Sequence, residues 1–382
     1  MRVLIAMDKF KGTATAAEAG ESVARGLITA VPSLKVEVMA LADGGDGTLA
    51  ALLGAGYERV DIDVPDARGV VESAPVAHRK TEWIIEVAAI CGLGAARPTP
   101  RMAETADSSG IGAAIEASLD RGATEIRVGL GGTATSDGGA GMLRRLGVRF
   151  RDAQGGDIPP GAAALRQLAS IDWSGLDPRL ATARIIGLCD VTSPLLGPTG
   201  AAAVFGPQKG ADATTVDRIE KGLTRLAAVS AENRPPAGPL DAATAGAGAA
   251  GGLGWALLAI GGALVSGGEL IAQTLQLDRS VEVADLVVTG EGRLDPQSLS
   301  GKAPAIVAAS ARRARVPVVA VVGQDQLGDD ALALGLTHVI ALADLAAGTD
   351  RDPALTLRTL ELAGTQLATR LRLAGAASAA NR

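Results

Sequence analysis

The chain has 382 residues, 47% of them apolar, and a formal net charge of −6. This length suggests two domains or one domain with a large insertion, and the acidic balance argues against nucleic acid as the main partner. The two cysteines and two histidines argue against a disulfide framework, a zinc site and a histidine-based catalytic triad.

The N-terminal segment predicts a strand, a helix and a second strand. The apolar run Arg2–Met7 ends at Asp8, which is typical of a buried parallel strand. The sequence Thr15–Glu18 is a capping box, so we expect a helix from there to about Thr29. Alternating apolar residues at 36–40 then predict the second strand. This order is typical of a doubly wound α/β sheet.

The C-terminal segment repeats this pattern of strands and helices. The predicted strands are Asp285–Thr289, Pro317–Val322 and His338–Leu342, and the predicted helices are Ala303–Ala314, Asp329–Gly335 and Pro353–Arg372. Together with the two N-terminal strands, these three strands are enough for a flavodoxin-like parallel sheet. We therefore predict a discontinuous flavodoxin-like domain at 1–60 and 283–382.

The middle of the chain has a different pattern. Alternating residues at Val60–Val64 and further strand signals at Val70–Ala77 and Trp83–Val87 predict antiparallel or mixed pairing. A helix is expected at Ser108–Leu119, and further strands at Ile126–Gly129 and Arg184–Leu188. We interpret 61–282 as an inserted second α/β domain.

One uncharged stretch, Ala242–Gly268, is long enough to span a membrane. It contains nine glycines, and its densest apolar run is only Trp255–Ile260. We therefore predict a glycine-rich loop that leads into a buried helix. The apolar run at the N-terminus is too short for a signal peptide, so we expect a soluble cytoplasmic protein that does not bind membranes.

Four glycine-flanked acidic segments each follow a predicted strand. They are Leu41–Thr48, Gly129–Gly141, Cys189–Pro194 and Thr289–Asp295. In open α/β sheets, ligands bind outside the carboxyl ends of the strands. Any one segment is explained as an ordinary turn, and Asp137 alone as a helix cap, but four together indicate a ligand site.

The residue types in these segments suit phosphate chemistry. Glycine lets backbone N–H groups approach phosphate oxygens, and carboxylates on loops can hold Mg²⁺ together with phosphates and water. A further carboxylate can accept the proton of an attacking hydroxyl. Lysine or arginine can bind the transferred phosphoryl group or a substrate carboxylate.

Two standard nucleotide motifs do not account for this pattern. Gly246–Gly251 matches the dinucleotide spacing G-x-G-x-x-G, but the residues before it do not predict a strand. A Walker A motif would need a glycine five residues before Gly301-Lys302 and has Pro296 there. A kinase built on this chain would bind phosphate through another loop.

The chain resembles the bacterial glycerate kinases that have a flavodoxin-like domain and an inserted domain. The segments that carry the resemblance run in the family's order along nearly the whole chain: Met7–Gly12, Leu41–Thr48, Glu86–Ala89, Gly129–Gly141, Cys189–Pro194, Phe205–Gly210, Gly246–Gly252 and Thr289–Asp295 with Gly301-Lys302. The chain departs from the family where Met7 and Lys9 flank Asp8 and where it reads Ser108–Gly112.

The resemblance implies ATP-dependent phosphorylation of D-glycerate, at the 2-hydroxyl, with Mg²⁺. It also implies that Asp190, in the segment Cys189–Pro194, is the catalytic base. The residues themselves only offered several candidate carboxylates at strand ends.

These arguments assign a role to each candidate site residue. Lys11 and Arg293 are predicted to act in catalysis with Asp190, and Asp43, Asp46 and Glu291 are candidate magnesium ligands. The nucleotide-binding residues are predicted to be Gly131, Gly132, Thr133, Ser136, Asp137, Gly138 and Lys302. The partner is the small molecule D-glycerate, and a homo-oligomer is left open.

Two other functions are compatible with these patterns. One is an NAD(P)-dependent oxidoreductase acting on a hydroxy acid, and the other is a non-catalytic small-molecule sensor on the same scaffold. The sequence leaves open which hydroxyl is phosphorylated, the exact metal ligands and the metabolic pathway.

Overall fold

Parallel and mixed β-sheets with helices between their strands make up the computed structural model, which describes residues 1–94, 97–233, 235–238, 240–299 and 301–380. The strands are β1 (Arg2–Met7), β2 (Lys35–Ala40), β3 (Glu58–Pro65), β4 (Val71–Arg79), β5 (Glu82–Glu86), β6 (Glu125–Gly129), β7 (Arg149–Arg151), β8 (Ser170–Asp172), β9 (Arg184–Leu188), β10 (Ala263–Val265), β11 (Leu286–Gly290), β12 (Arg293–Leu294), β13 (Val318–Val322), β14 (Gln324–Asp325) and β15 (His338–Ala341).

Helices connect most of these strands. The α-helices are α1 (Ala16–Ala30), α2 (Thr48–Gly54), α3 (Val87–Cys91), α4 (Pro100–Thr105), α5 (Ser109–Asp120), α6 (Ala140–Arg145), α7 (Ala201–Phe205), α8 (Ala213–Glu232), α9 (Leu253–Ala259), α10 (Gly267–Thr274), α11 (Leu277–Glu282), α12 (Ala303–Ala314), α13 (Leu342–Leu345) and α14 (Pro353–Ala380). Short 3₁₀ helices occur at Ala162–Gln167, Pro178–Ala181, Pro207–Lys209, Ala249–Gly252, Pro296–Leu299 and Gly328–Leu334.

The chain divides into two units. Unit 1 comprises Met1–Asp43, Ala50–Ala55 and Gly268–Arg382, and unit 2 comprises Gly44–Leu49 and Gly56–Gly267. The predicted insertion at 61–282 begins five residues later and ends 15 residues later than Gly56–Gly267, the main segment of unit 2.

Unit 1 contains a five-stranded parallel sheet in the order β15-β13-β11-β1-β2. When only the strands of this sheet are counted along the chain, the order is 2-1-3-4-5. β1, β11 and β13 are continuous apolar strands because helices cover both faces of the sheet. On one face α1 and α14 contribute Leu27 and Leu360 to the core; on the other, α12 contributes Val307 and Ala311.

The predicted capping box at the start of α1 is confirmed. Thr15 Oγ1 accepts a hydrogen bond of 3.2 Å from the backbone N–H of Glu18, and the Glu18 carboxylate accepts one of 2.9 Å from the backbone N–H of Thr15. Two backbone donors of the first turn are thereby satisfied. The helix ends at Ala30, one residue beyond the predicted end.

Unit 2 contains a six-stranded mixed sheet in the order β10-β9-β6-β5-β4-β3. The meander β3-β4-β5 pairs antiparallel, and β5, β6, β9 and β10 pair parallel. The mixed pairing predicted for the middle of the chain is therefore confirmed. The carboxyl ends of β5, β6, β9 and β10 meet at one edge, where two of the four glycine-flanked acidic segments begin.

Some predicted elements differ from the observed ones. The segment predicted as a helix at Asp329–Gly335 is the 3₁₀ helix Gly328–Leu334. The last helix extends to Ala380 rather than ending near Arg372. Within the uncharged stretch Ala242–Gly268, turns lead into α9 and β10. Of the helices in the described part of the chain, none combines the length and the apolar character needed to cross a bilayer.

Candidate functional site

A cavity of about 500 Å³ lies at the carboxyl ends of β1 and β11 in unit 1. Parallel pairing aligns Met7, the last residue of β1, with Gly290, the last residue of β11. The next residues, Asp8 and Glu291, therefore leave the sheet side by side and line the same cavity. The other charged residues that line it are Lys9, Lys11, Asp43, Arg293, Asp295, Lys302 and Asp350.

The two carboxyl groups at these strand ends are buried. Burial raises the pKa of Asp8 to about 6, with Lys9 opposing the shift and Asp43 adding to it. Burial likewise raises the pKa of Glu291 to about 7. A hydrogen bond from the Ser298 side chain and the charge of Lys302 oppose the shift, and Asp8 and Asp295 add to it. A raised pKa of this kind shows that the positive charges near a buried carboxylate do not fully offset the cost of its burial.

Positive side chains stand next to these carboxylates. Lys9 Nζ lies 3.5 Å from Asp8 Oδ1 and 3.4 Å from Asp43 Oδ1. Lys302 Nζ lies 3.8 Å from Glu291 Oε2 and 3.6 Å from Asp295 Oδ1. These distances exceed those of a well-formed charge-assisted hydrogen bond. The lysines could therefore turn toward an anionic ligand at small cost.

The predicted phosphate- and carboxylate-binding residues come together here. Lys11, Arg293 and Lys302 all line the cavity, although they are far apart along the chain. Lys11 and Arg293 are exposed, as groups that contact a diffusible ligand must be. The cavity thus combines buried acidic groups with exposed basic ones, which suits a ligand that carries both phosphate and a cation.

The acidic residues fit a magnesium ion that arrives with phosphate. Glu291 Oε1 is buried and accepts no hydrogen bond from the described residues. Nowhere in the described ranges do three or more His, Cys, Asp or Glu side chains form a metal-holding group. Mg²⁺ needs only one or two carboxylates when phosphates and water supply the other ligands. Of the predicted metal ligands, Asp43 and Glu291 line this cavity, whereas Asp46 is an exposed residue of unit 2.

In unit 2, Asp190 lies just beyond the carboxyl end of β9. β9 pairs in parallel with β10, and Leu188 aligns with Val265. The segments that follow these two strands are therefore adjacent. Ser266 Oγ donates a hydrogen bond of 2.8 Å to Asp190 Oδ1, and the backbone N–H of Gly267 donates one of 2.9 Å to the same oxygen. These two donors fix the orientation of the partly buried carboxylate.

The glycine-rich segment after β6 packs closely against the segment Gly44–Gly47. A methyl group on Gly129 would overlap the carbonyl oxygen of Gly44, and one on Gly131 would overlap the Cα atom of Gly45. The two backbones can approach this closely only because both sides are glycine. In the same region, the Glu86 carboxylate accepts a 2.8 Å hydrogen bond from the N–H of Leu49. The segment Gly44–Leu49 is thus held against the end of β6 by close backbone contacts and against the end of β5 by the Glu86 carboxylate.

The polar side chains of the same segment point into the protein. The fully buried Asp137 carboxylate accepts hydrogen bonds from the N–H and hydroxyl of Ser108, at 3.0 and 2.8 Å, and from the N–H groups of Gly139 and Gly141. Its pKa is raised, chiefly by burial and secondly by the charge of Asp107. Ser136 is also buried, and Gly132 is exposed.

A buried lysine, Lys209, donates hydrogen bonds to this segment from the protein interior. Lys209 is 2% exposed, and its Nζ donates hydrogen bonds to the backbone oxygen of Thr135, at 2.6 Å, and to the hydroxyl of Ser136, at 3.4 Å. Burial lowers the pKa of Lys209 to about 7, and the charge of Asp137 opposes the shift. Lys209 and Asp137 thus stabilise the geometry of the glycine-rich segment without reaching its surface.

Sequence reasoning assigned no site role to Asp8, Ser266 or Lys209. Asp8 carried a usable signal, since it directly follows a buried strand just as Glu291 does. Ser266 carried no signal in the sequence. Its position next to Asp190 depends on β10, and this strand of three residues is too short to show a periodic pattern. The importance of Lys209 rests on its burial, which its sequence context did not indicate.

The residues before the dinucleotide-like motif Gly246–Gly251 do not form a strand. Residues 240–245 are in turns and irregular structure, and the motif itself leads into the 3₁₀ helix Ala249–Gly252. The strand–turn–helix context of a dinucleotide site is therefore missing.

Comparisons with known proteins agree along the whole chain. A family model described as "Glycerate kinase family" matches residues 3–372. A glycerate kinase of Bacillus subtilis (strain 168) is 40% identical over 327 residues, 85% of each chain. A glycerate 2-kinase of Escherichia coli (strain K12) is 38% identical over 343 residues, 88% of each chain. The crystal structure of a Salmonella typhimurium LT2 protein assigned as glycerate kinase 2 matches with a TM-score of 0.81 and 37% identity, covering 98% of this chain and 99% of that one.

Proposed function

Since this chain belongs to the glycerate kinase family, we propose that it transfers the γ-phosphoryl group of ATP to a hydroxyl of D-glycerate. The observation that supports this most directly is the cavity of unit 1, where buried Asp8 and Glu291 lie among exposed basic side chains. The acceptor is proposed to be the 2-hydroxyl, giving 2-phosphoglycerate. The name of the Escherichia coli relative, glycerate 2-kinase, supports that choice.

Asp190 is proposed as the general base. It accepts the proton of the glycerate hydroxyl while the hydroxyl oxygen attacks the γ-phosphorus in line with the departing ADP oxygen. The hydrogen bonds from Ser266 and Gly267 reach the same carboxylate oxygen, so the carboxylate is held ready for that proton. The O–P bond to glycerate forms as the O–P bond to ADP breaks.

Basic residues are proposed to hold the anionic groups. Lys11, Arg293 and Lys302 bind the glycerate carboxylate or the transferred phosphoryl group, where charge-assisted hydrogen bonds are strongest. Arg293 suits a carboxylate or phosphate because its guanidinium offers two parallel donors. The exposure of Lys11 and Arg293 within the cavity supports these roles.

Mg²⁺ is the proposed metal, and Asp43, Asp46 and Glu291 are its proposed ligands, directly or through water. The buried Glu291 Oε1, which accepts no hydrogen bond from the residues that the structure describes, supports this choice. When bound with ATP, the ion would neutralise charge on the phosphates.

The glycine-rich segment is proposed to hold ATP phosphates. Gly131, Gly132 and Thr133 would offer backbone N–H groups to phosphate oxygens. Ser136, Asp137 and Gly138 belong to the same nucleotide-binding segment, and we propose that they act by fixing its shape. The buried hydrogen bonds of Asp137 support that division of roles.

The domain organisation is also proposed. The strand order 2-1-3-4-5 of unit 1 is the flavodoxin-like order, so we propose a flavodoxin-like domain at 1–60 and 283–382 with an inserted α/β domain at 61–282. A cytoplasmic location is proposed because the substrate and ATP are small cytoplasmic molecules.

A coupled assay of ADP release tests the proposed function. With ATP, Mg²⁺ and D-glycerate we expect continuous ADP formation that requires all three. The oxidoreductase alternative predicts instead a change in NAD(P)H absorbance with glycerate, and the sensor alternative predicts binding without turnover. Either of those results in place of ADP formation would overturn the proposal.

A further inference from the structure

A second cavity, of about 460 Å³, lies wholly within unit 2. It opens between the turn Asp66–Arg68, the short helix α3 and the helix α4. Its volume is in the range of small-molecule binding sites. The roles proposed above leave it without a function.

One part of the lining of this second cavity is apolar and built from small or flexible side chains. Ala106 and Ala134 are buried, Leu93 and Met102 are half-buried, and Ala89 is exposed at the entrance. Alanine side chains leave room for a flat ring between the walls. A methionine thioether makes favourable contacts with aromatic rings. The lining therefore suits a planar, largely apolar ligand group.

A planar cation is fixed at the rim of the second cavity. Arg68 Nε donates a hydrogen bond of 2.6 Å to Asp66 Oδ2, and its Nη2 lies 3.1 Å from Glu72 Oε1. The two carboxylates hold the guanidinium plane in place although the side chain is exposed. Guanidinium groups stack on aromatic faces, so this position favours an aromatic heterocycle over an aliphatic ligand.

The second cavity shares a wall with the glycine-rich segment. Thr133 forms an antiparallel bridge with Gly92, and the N–H of Ala134 donates a hydrogen bond of 2.8 Å to the backbone oxygen of Cys91. Ala134 lines the cavity, and Gly132, two residues earlier, is exposed. A ligand in the cavity would thus lie directly beside the segment proposed to hold phosphate.

We propose that the second cavity binds the purine base of the nucleotide, whose phosphates then reach Gly131 and Gly132. This inference rests on the proposed kinase function and adds to it the place of the base. The base lies between the apolar wall of Met102 and Ala106 and the guanidinium of Arg68. The phosphates follow the backbone from Ala134 toward the glycines.

The test compares a nucleotide with its phosphate part alone. Binding of ADP and of pyrophosphate is measured by isothermal titration calorimetry with Mg²⁺ for the wild type, Ala89→Trp and Arg68→Ala. The indole added by Ala89→Trp would fill the cavity from its exposed entrance, so we expect ADP affinity to fall by about tenfold or more, the scale of lost base stacking. Pyrophosphate affinity should change by less than about twofold. Arg68→Ala should weaken ADP alone by about threefold or more.

The matched control is Ala228→Trp, at an exposed alanine of α8 outside this cavity, which should leave both affinities unchanged. Should Ala89→Trp fail to fold, as judged by circular dichroism, Arg68→Ala alone decides. Wild-type ADP affinity in the folded cavity variants would overturn the inference while leaving the kinase function standing. A wild type that neither binds ADP nor turns over ATP would overturn the proposed function itself.

Discussion

The hydroxyl of Ser266 donates a 2.8 Å hydrogen bond to Oδ1 of Asp190, although 76 residues separate them along the chain. The backbone N–H of Gly267 donates to the same oxygen. This pair of donors depends on the parallel register of β9 and β10. The proposed base is therefore oriented by the fold of unit 2 rather than by its own loop.

Replacing the proposed base should abolish most turnover. Asp190→Asn keeps the shape of the side chain but cannot accept the hydroxyl proton, so kcat should fall by roughly 10²–10⁴-fold. The KM for ATP should change little, because the nucleotide is proposed to contact other residues. The control Asp241→Asn alters an exposed aspartate outside the strand-end segments and should leave kcat within about twofold. Retention of more than about a tenth of wild-type kcat by Asp190→Asn would rule out Asp190 as the base.

Ser266 is predicted to be a positioning residue. Ser266→Ala removes the hydroxyl that donates to Asp190 Oδ1, so kcat should fall by about tenfold, the scale of a hydrogen bond to a charged group. The KM for ATP should stay unchanged, and Ser266→Thr should recover most of the rate because it restores the hydroxyl. Steady-state kinetics on the three proteins checks this. Equal losses in the alanine and threonine variants would indicate a packing effect instead.

Close backbone contact at Gly131 should be essential for nucleotide use. Gly131→Ala places a methyl group against the Cα atom of Gly45, so the loop must shift. We expect kcat/KM for ATP to fall by about 10–100-fold, the scale of small misplacements of a binding group. The control Gly54→Ala adds a methyl group with no atom within 4 Å and should have wild-type kinetics. Wild-type kinetics for Gly131→Ala would show that the loop is not used.

The burial of Lys209 predicts a pH-dependent stability. Its pKa falls from 10.5 in the unfolded chain to about 7 in the folded protein because burial disfavours the charge. Between those values only the unfolded chain holds the proton, so protonation favours unfolding. The stabilising contribution is therefore present above pH 10.5 and is lost as the pH falls toward 7.

Urea unfolding at pH 7.0 and 9.0 tests this for the wild type and Lys209→Met. The unfolding free energy of the wild type minus that of the variant should be larger at pH 9.0 by about 2 kcal/mol. Titrating groups that do not interact with Lys209 are common to both proteins and cancel in this difference. An equal difference at both pH values would contradict the assignment.

The sheet of unit 1 was largely predictable because its central strands are apolar runs in the sequence and are also buried in the fold. Arg2–Met7 is a continuous apolar run, and the strand has the predicted bounds because both of its faces are buried. The capping box at Thr15 marks the start of α1 for a purely local reason. By contrast, β10 and the 3₁₀ helix Gly328–Leu334 owe their form to tertiary packing, which no short-range pattern records.

The site was predictable only in part. Glycine and acidic residues after strands singled out Glu291, Lys302 and Arg293, and the structure brings these three residues to one cavity. Their roles stay predictions. Burial could not be inferred from the same pattern. Asp137 is predicted from the sequence to bind the nucleotide or, taken alone, to cap a helix; in the structure it is fully buried and anchors its own loop. Only the packing of Ser108 and Lys209 around that loop shows that Asp137 stabilises the loop rather than facing a ligand.

Proton-coupled phosphorus NMR of the reaction with ATP, Mg²⁺ and D-glycerate tests the central claim most directly. Phosphate on the 2-hydroxyl is attached to a CH group and gives a doublet, whereas phosphate on the 3-hydroxyl is attached to a CH₂ group and gives a triplet. We predict a new phosphomonoester doublet that grows with ADP and is nearly absent with Asp190→Asn. A triplet would contradict the proposed acceptor, and the absence of any new phosphomonoester signal would contradict the kinase function.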